Sequence, residues 1–410
     1  MYSRIDMSDG AGFVGISGRR KEMGEMTHRE RAMAVLHYEA YDRLPLVHFG
    51  FWSGHTLQKW AGLGHVTMAE ADAWADGNEM DAIITERLGF DFNWQTMFSP
   101  AGRLWPGFKS EVVAEFPDGT HHVRNAHGVV VMQKPDAGSI PAEIDHLLKD
   151  RASWEADFKH RYVWDERRVT QAVVRRNGQA LRYDEGGLEI LKAGEWDTPY
   201  GLNCGSLFGQ IRDVLGLENT CYLPVDDPDL LDEMIAAVSE LAYQNTKYVL
   251  EAGAKFDFIH FWEDISFRSG PLVSPKMFAE KVGPYYKRVT ELASQYDIDI
   301  VSLDSDGCID TLVPIWLENG VNTMFPIEVG IWHGNIKPWR EQYGKALRGV
   351  GGVNKNMFSK DRAAVDAEIE RIKLLVALGG YLPCIDHRIA PDAEWALVRY
   401  YCDQMRETFG

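Results

Sequence analysis

Between residues 256 and 409 the chain keeps a rhythm that few folds can accommodate. Strand-like apolar runs at Phe256–Trp262, Ile298–Leu303, Val321–Ile327, Leu347–Val353 and Gly380–Ile385 alternate with amphipathic stretches that begin near Pro275, Ile309, Lys337 and Lys360. A last amphipathic stretch covers Pro391–Phe409. Alternation at this spacing implies a parallel sheet. Each run stops in polar residues: His260, Glu263 and Asp264; Asp304 and Asp306; Glu328; Asn354 and Lys355; Cys384, Asp386 and His387. Polar groups at the C-terminal ends of successive parallel strands are how a (β/α)8 barrel builds an active site. The competing open, doubly wound sheet needs a glycine-rich turn after its first strand, and Phe49-Gly50-Phe51-Trp52 is not one. The predicted class is therefore α/β, a (β/α)8 TIM barrel.

The run ending Val301-Ser302-Leu303-Asp304-Ser305-Asp306-Gly307 is the focal point. Carboxylates at the end of a buried strand are costly unless paired. One of them can cap the next helix, but two point to a metal or a substrate proton.

Upstream, Thr27–His37 reads as a helix with Thr27 and Glu30 as a capping box, and Asp42-Arg43 leads into a first strand over Leu44–Trp52. Leu57–Ala75 reads as a helix that Gly62 and Gly64 can split, followed by a short strand at Gly89–Asn93. Residues 108–134 alternate around Pro117-Asp118-Gly119, which predicts a β-hairpin inserted into the α/β chain. Its histidines, His121, His122 and His127, read as inert hairpin residues rather than metal ligands. Helices are expected at Asp145–Glu155, at Glu166–Arg176 and from Asp227-Pro228 to Leu250. Residues 1–26 are expected to form an arm, and 27–410 a single barrel domain.

A formal net charge of -18 argues against nucleic acid or an anionic membrane as the main partner. Five cysteines without paired spacing suit a reducing compartment, and the N-terminus lacks the apolar core of a signal peptide. A cytoplasmic protein acting on a small molecule is the expectation. The last stretch, with Trp395, Leu397, Val398, Tyr400 and Tyr401, packs on the barrel or on a second subunit, so a homodimer is also considered.

Several segments in order resemble the uroporphyrinogen decarboxylase superfamily, which includes corrinoid-dependent methyltransferases. They are Arg29–Ala34 followed by Asp42-Arg43-Leu44-Pro45; Phe208–Glu218 followed by Asp227-Pro228; Glu263-Asp264 before Gly270-Pro271-Leu272-Val273-Ser274-Pro275; Gly320-Val321 leading to Pro326-Ile327-Glu328; and Gly379-Gly380-Tyr381. The resemblance spans about Thr27 to Phe409 and implies a (β/α)8 barrel with its cleft at the C-terminal strand ends. It does not fix the reaction. True uroporphyrinogen decarboxylases carry an arginine-rich loop after the first strand, because a polycarboxylate substrate needs fixed cations. Here Phe49–His55 contains no arginine. The thiol-methylating branch places His-x-Cys where this chain has Asp304-Ser305-Asp306, with Cys384 near the later zinc cysteine.

Both departures point to a third member type, the methyltransferase component of an O-demethylase, which moves a methyl group from a methoxylated, aromatic small molecule to a corrinoid protein. The resemblance then implies a zinc-like divalent ion held by Asp304, Asp306, Glu328, Cys384 and His387, while Cys384 also reads as a small buried hydrophobe and His387 as a satisfied histidine under a loop. Glu263 or Asp264 would support the ion's ligands or donate a proton, with Asp304, Asp306 and His387 also in catalytic roles. Trp52, Trp94 and Trp262 would wall an aryl ether; His260 either points into the barrel or hydrogen-bonds in its core, Arg212 caps a helix or clamps a carboxylate, and Lys355 binds an acidic substrate group or pairs with Asp304 or Glu328. A decarboxylase using Asp304 or Asp306 as its acid is the alternative, and a non-catalytic ligand-binding barrel is a third reading.

Overall fold

The computed structural model describes residues 25–52, 54–134, 141–176 and 178–410. The expected arm falls almost wholly outside the described residues.

The first strands are β1 (Val47–His48), β2 (Phe92–Asn93) and β3 (Met97–Phe98). An excursion follows: β4 (Glu111–Glu115), β5 (His121–Arg124), β6 (Val129–Gln133) and β7 (Ala142–His146), then a hairpin of β8 (Val173–Arg176) and β9 (Gln179–Arg182). The chain continues through β10 (Gly201–Asn203), β11 (Phe258–Trp262), a short hairpin of β12 (Ser266–Phe267) and β13 (Gly270–Pro271), β14 (Val301–Asp304), β15 (Thr323–Phe325), β16 (Arg348–Val353) and β17 (Tyr381–Ile385).

Nine of these strands form one parallel sheet in the order β2-β1-β17-β16-β15-β14-β11-β10-β3. The architecture is TIM-like, but the ladder does not close into the predicted barrel. Its two edge strands, β2 and β3, are separated in sequence only by Trp94–Thr96. That link bonds to both sides, with the Trp94 N–H donating to the His48 carbonyl at 3.0 Å and the Gly201 N–H donating to the Thr96 carbonyl at 3.3 Å. All five strands expected after residue 256 are present, each starting later than expected, and β14 runs one residue further, to Asp304.

The predicted capping box holds: the Thr27 hydroxyl accepts from the Glu30 N–H while the Glu30 carboxylate accepts from the Thr27 N–H. The split at Gly62 also holds, with helices at His55–Gly62 and Met68–Ala73. Elsewhere the structure differs. The single hairpin expected over 108–134 is a four-stranded antiparallel sheet, β4-β5-β6-β7, that runs on to His146. The helix expected over Glu166–Arg176 ends at Thr170 and gives way to β8, because Val173 and Val174 favour a strand that pairs with β9. The last helix, Trp395–Phe409, buries Trp395, Leu397, Val398 and Tyr401 in the chain's own core. Among the described residues, no helix is long and apolar enough to cross a membrane.

Candidate active site

Register decides which strand-end side chains meet. Trp262 is paired with Asp304 and Asp304 with Phe325, so the last residues of β11, β14 and β15 share one level. One step lower, Asn203 is paired with His260 and His260 with Ser302. Neighbouring parallel strands at one level direct their side chains to the same face. The result is a cleft of about 350 Å³ whose lining includes Gln95, Arg103, Asn203, His260, Trp262 and Asp304.

Asp304, which lines this cleft, converges with Asp264 and Asp306, an oxygen of each lying within 4.8 Å of the others. Asp264 takes a positive φ of 46° in leaving β11, and its Oδ1 accepts the Asp306 N–H at 2.9 Å. Gly307 makes the turn possible: a Cβ there would stand 2.5 Å from the Ser266 carbonyl oxygen. Its N–H donates to Glu328 Oε2 at 2.7 Å, which ties the end of β15 to the end of β14. Gln95 Nε2 donates to Asp304 Oδ2 at 3.3 Å. His387 Nε2 stands 3.4 Å from Asp306 Oδ2, while Asp306 Oδ1 is buried without a hydrogen-bond partner.

Burial first, and then the charges of Asp306 and Asp264, hold the Asp304 carboxyl well above the usual carboxylate range. Burial and the Asp306 charge push Asp264 up to about 7. The same two causes raise Glu328 to about 7. Three carboxyls this close cannot all ionise cheaply, so the site retains a proton near neutrality. Opposing charge reaches the trio from Arg212, which lowers Asp264, and from Arg388. Arg388 lowers Asp304 through its field, yet its guanidinium is clamped by Asp76 at 2.8 and 3.1 Å.

The other expected residues divide between the mouth and the scaffold. Trp52, His387 and Lys355 gather on one flank, with the Trp52 and His387 rings 5.2 Å apart and Lys355 Nζ 5.7 Å from the Trp52 ring. Burial lowers the Lys355 ammonium, against the pull of Asp386, Glu328 and Asp306. His260 lines the cleft, but burial lowers its pKa to about 3, and its Nδ1 is 3.1 Å from Ser302 Oγ, so it acts as a neutral polar wall. Arg212 donates to the Asp264 carbonyl at 3.0 Å and so braces the backbone of the trio.

Three expectations need correction. Glu263 is fully buried, and its carboxylate accepts from the Leu207, Phe208 and Gly209 N–H groups, from Ser206 Oγ and from the Tyr286 hydroxyl. It has no free lone pair to offer a substrate and anchors the turn that enters the helix Gly209–Leu215. Trp94 is no substrate wall, because it is 1% exposed and stacks at 4.3 Å on Phe258, the first residue of β11. Cys384 is a buried member of an apolar cluster whose thiol contacts the Ile385 carbonyl at 3.6 Å, and burial raises its pKa well above the ordinary thiol value. Cys384→Ala is therefore expected to leave bound metal and activity unchanged and to cost about 1 kcal/mol of stability, read by metal analysis and urea unfolding.

The zinc site expected from Asp304, Asp306, Glu328, Cys384 and His387 does not fit this geometry. The donors that converge are three carboxylates, a hard all-oxygen set suited to ions such as magnesium or manganese rather than to thiolate-bound zinc.

Gln95, Asn203 and Arg103 line the cleft without having been expected. Gly201-Leu202-Asn203 has no β-branched residue to mark it as a strand. The available signal for Gln95 was its place just past Phe92-Asn93, the position that strand-end residues occupy elsewhere in the chain.

No protein-family model and no curated protein sequence matches the chain. Among solved structures it is similar to a methyltransferase from Methanosarcina mazei, with a TM-score of 0.58 and 16% identity over 94% of this chain and 99% of that one, which shows a shared fold. A structure assigned as a vitamin-B12 independent methionine synthase from Listeria monocytogenes matches 54% of this chain and 69% of its own, at 14% identity and a TM-score of 0.35, too low to mark a shared fold.

Proposed function

We propose that the chain is a methyltransferase that takes the methyl group of a methoxylated aromatic small molecule and passes it to a corrinoid carried by a partner protein. The observation that carries this reading is the convergence of Asp264, Asp304 and Asp306, holding a proton near neutrality, at a cleft walled by Trp262. When the methyl carbon–oxygen bond breaks, its electron pair stays on oxygen. A proton from the trio neutralises that oxygen as charge develops, so the phenol leaves rather than the phenoxide. Gln95 fixes the Asp304 carboxyl, and Trp262 offers a flat apolar face for the ring. The corrinoid would supply the methyl acceptor. Three clustered carboxyls also argue against a polycarboxylate substrate, and so against decarboxylation of the uroporphyrinogen type.

A second reading has its own support. The buried, unpartnered Oδ1 of Asp306 and the all-oxygen trio could share a hard divalent cation in place of a proton.

The test incubates the protein with aryl methyl ethers and reduced cobalamin, and in parallel with uroporphyrinogen under anaerobic conditions, and follows methylcobalamin and carbon dioxide. Methylcobalamin without carbon dioxide is expected, and carbon dioxide release alone overturns the proposal. Chelator treatment separates the two readings, because a shared proton survives it whereas loss of turnover that magnesium or manganese restores identifies the cation.

A further inference from the structure

At the other end of the sheet from the catalytic cleft, three cations gather on one aromatic ring. β16 begins at Arg348, whereas the carboxylate trio sits where β11 and β14 end, so Arg348 belongs to the N-terminal face of the parallel sheet. There the centre of the Tyr38 ring has Arg340 Cζ at 4.8 Å, Lys345 Nζ at 5.0 Å and Arg348 Cζ at 5.7 Å. The ring is built into place. Tyr38 holds a left-handed φ of 62°, its hydroxyl donates to the Leu347 carbonyl at 2.8 Å, and a Cβ at Gly380 would collide with it. A bulky residue keeps such a φ only where the contacts around it hold it there.

Part of this charge serves the scaffold. Arg340 Nη1 and Nη2 donate to the Gly379 and Leu378 carbonyls at 2.6 and 3.1 Å, just past the helix Arg362–Val376. Arg348 Nε donates to the Leu36 carbonyl at 2.6 Å, at the end of the helix His28–Leu36. Cations are favourable at helix C-termini. That account does not reach Lys345, which is exposed in the turn Gly344–Ala346 and has no hydrogen-bond or carboxylate partner among the described residues. Arg340 and Arg348 likewise form no salt bridge among the described residues, and Arg340 Nε is buried without a hydrogen-bond partner. Burial raises the Tyr38 hydroxyl above its ordinary value, and the charges that act on it are Arg340 and Arg348, with no carboxylate among them. A ring face stabilises a cation over it, but three like charges around one ring repel one another. In a chain of net charge -18, carboxylates to pair them with are abundant, yet none does.

We infer that this corner of the N-terminal face binds a multiply charged oxyanion of phosphate type, free or as the end group of a small molecule. Its contacts follow from the unused donors. Arg348 uses Nε on the Leu36 carbonyl, which leaves the two Nη nitrogens of its fork without a partner among the described residues, and Lys345 keeps three N–H donors. A planar fork matches two phosphate oxygens at once, and the lysine adds a point charge. Arg340, tied to carbonyls through both Nη atoms, contributes charge rather than contact. Three cations favour a phosphate dianion over the single charge of a carboxylate. The inference goes beyond methyl transfer, since none of these residues lines the catalytic cleft.

The test is calorimetric titration of the full chain, in metal-free buffer, with inorganic diphosphate, with glycerol phosphate and with acetate, on wild type, Lys345→Met and Arg348→Met. The melting temperature of each variant checks its folding, and Lys345→Met is the cleaner of the two because it breaks no hydrogen bond. The wild type is expected to bind one diphosphate per chain, about tenfold or more tighter than acetate, with an affinity that falls as salt is added. Each substitution should weaken diphosphate about tenfold and leave methyl transfer unchanged. Glycerol phosphate bound as tightly as diphosphate assigns the site to a phosphate ester, and weaker binding assigns it to the free anion. Absence of diphosphate binding by the wild type, acetate bound equally well, or an affinity that Lys345→Met leaves untouched overturns the inference. None of these results bears on methyl transfer.

Discussion

Asp304→Asn is expected to lower kcat for methyl transfer by roughly 10²–10⁴-fold with little change in KM, the range over which a positioned acid contributes. The amide keeps the shape and the contact with Gln95 but cannot surrender a proton to the leaving oxygen. The wild-type rate should fall as pH rises through about 7, where Asp264 gives up the proton that the trio shares. Stability moves the same way, and the sign follows from the raised carboxyls. In the unfolded chain these groups ionise in the ordinary carboxylate range, whereas the folded protein holds Asp264 and Glu328 protonated to about 7. Folded-state stability is therefore fully present at low pH and lost as pH climbs to about 7. Asp304→Asn removes one of the mutually repelling charges, so the variant should melt above wild type at pH 8, with the gap closing toward pH 4. A variant that keeps wild-type turnover, or melts lower than wild type at pH 8, would sink this account of the site.

The second large effect belongs to Glu263→Ala. The substitution strips the acceptor from three backbone N–H groups, Ser206 Oγ and the Tyr286 hydroxyl in a fully buried position, and the expected loss is about 3–5 kcal/mol in urea unfolding. No apolar repacking can replace these bonds, because three of the donors are fixed in the backbone. Gly209 marks how tight the contact is, since a Cβ there would stand 1.8 Å from the Glu263 carbonyl oxygen. Glu263→Gln should lose less, because one oxygen still accepts while the new NH₂ confronts donors. A loss below about 1 kcal/mol with a collapse in kcat would instead return Glu263 to the chemistry.

Neighbouring residues show how unevenly the site was legible. Glu263 and Asp264 look equivalent in sequence, both acidic and both just past a buried strand. Asp264 turns through a positive φ toward Asp304 and Asp306, whereas Glu263 turns back onto the 206–209 turn. Cys384 carries the same ambiguity, because residues along a strand alternate between faces and sequence alone does not say which face is the interior. Arg103 was beyond reach for a different reason, since it reaches the cleft from a segment between β3 and the β excursion rather than from a strand end.

What the sequence determined by itself was a mixed α/β chain with a parallel sheet whose strands end in polar residues. Both rest on periodicity and on the cost of placing carboxylates beside buried strands, which are local properties. The register that sets Trp262 beside Asp304, the convergence of Asp264 with Asp304 and Asp306, and the retirement of Glu263, Trp94 and Cys384 into the scaffold were decided only in three dimensions. Each depends on contacts between segments distant in the chain, whose energies no local pattern encodes.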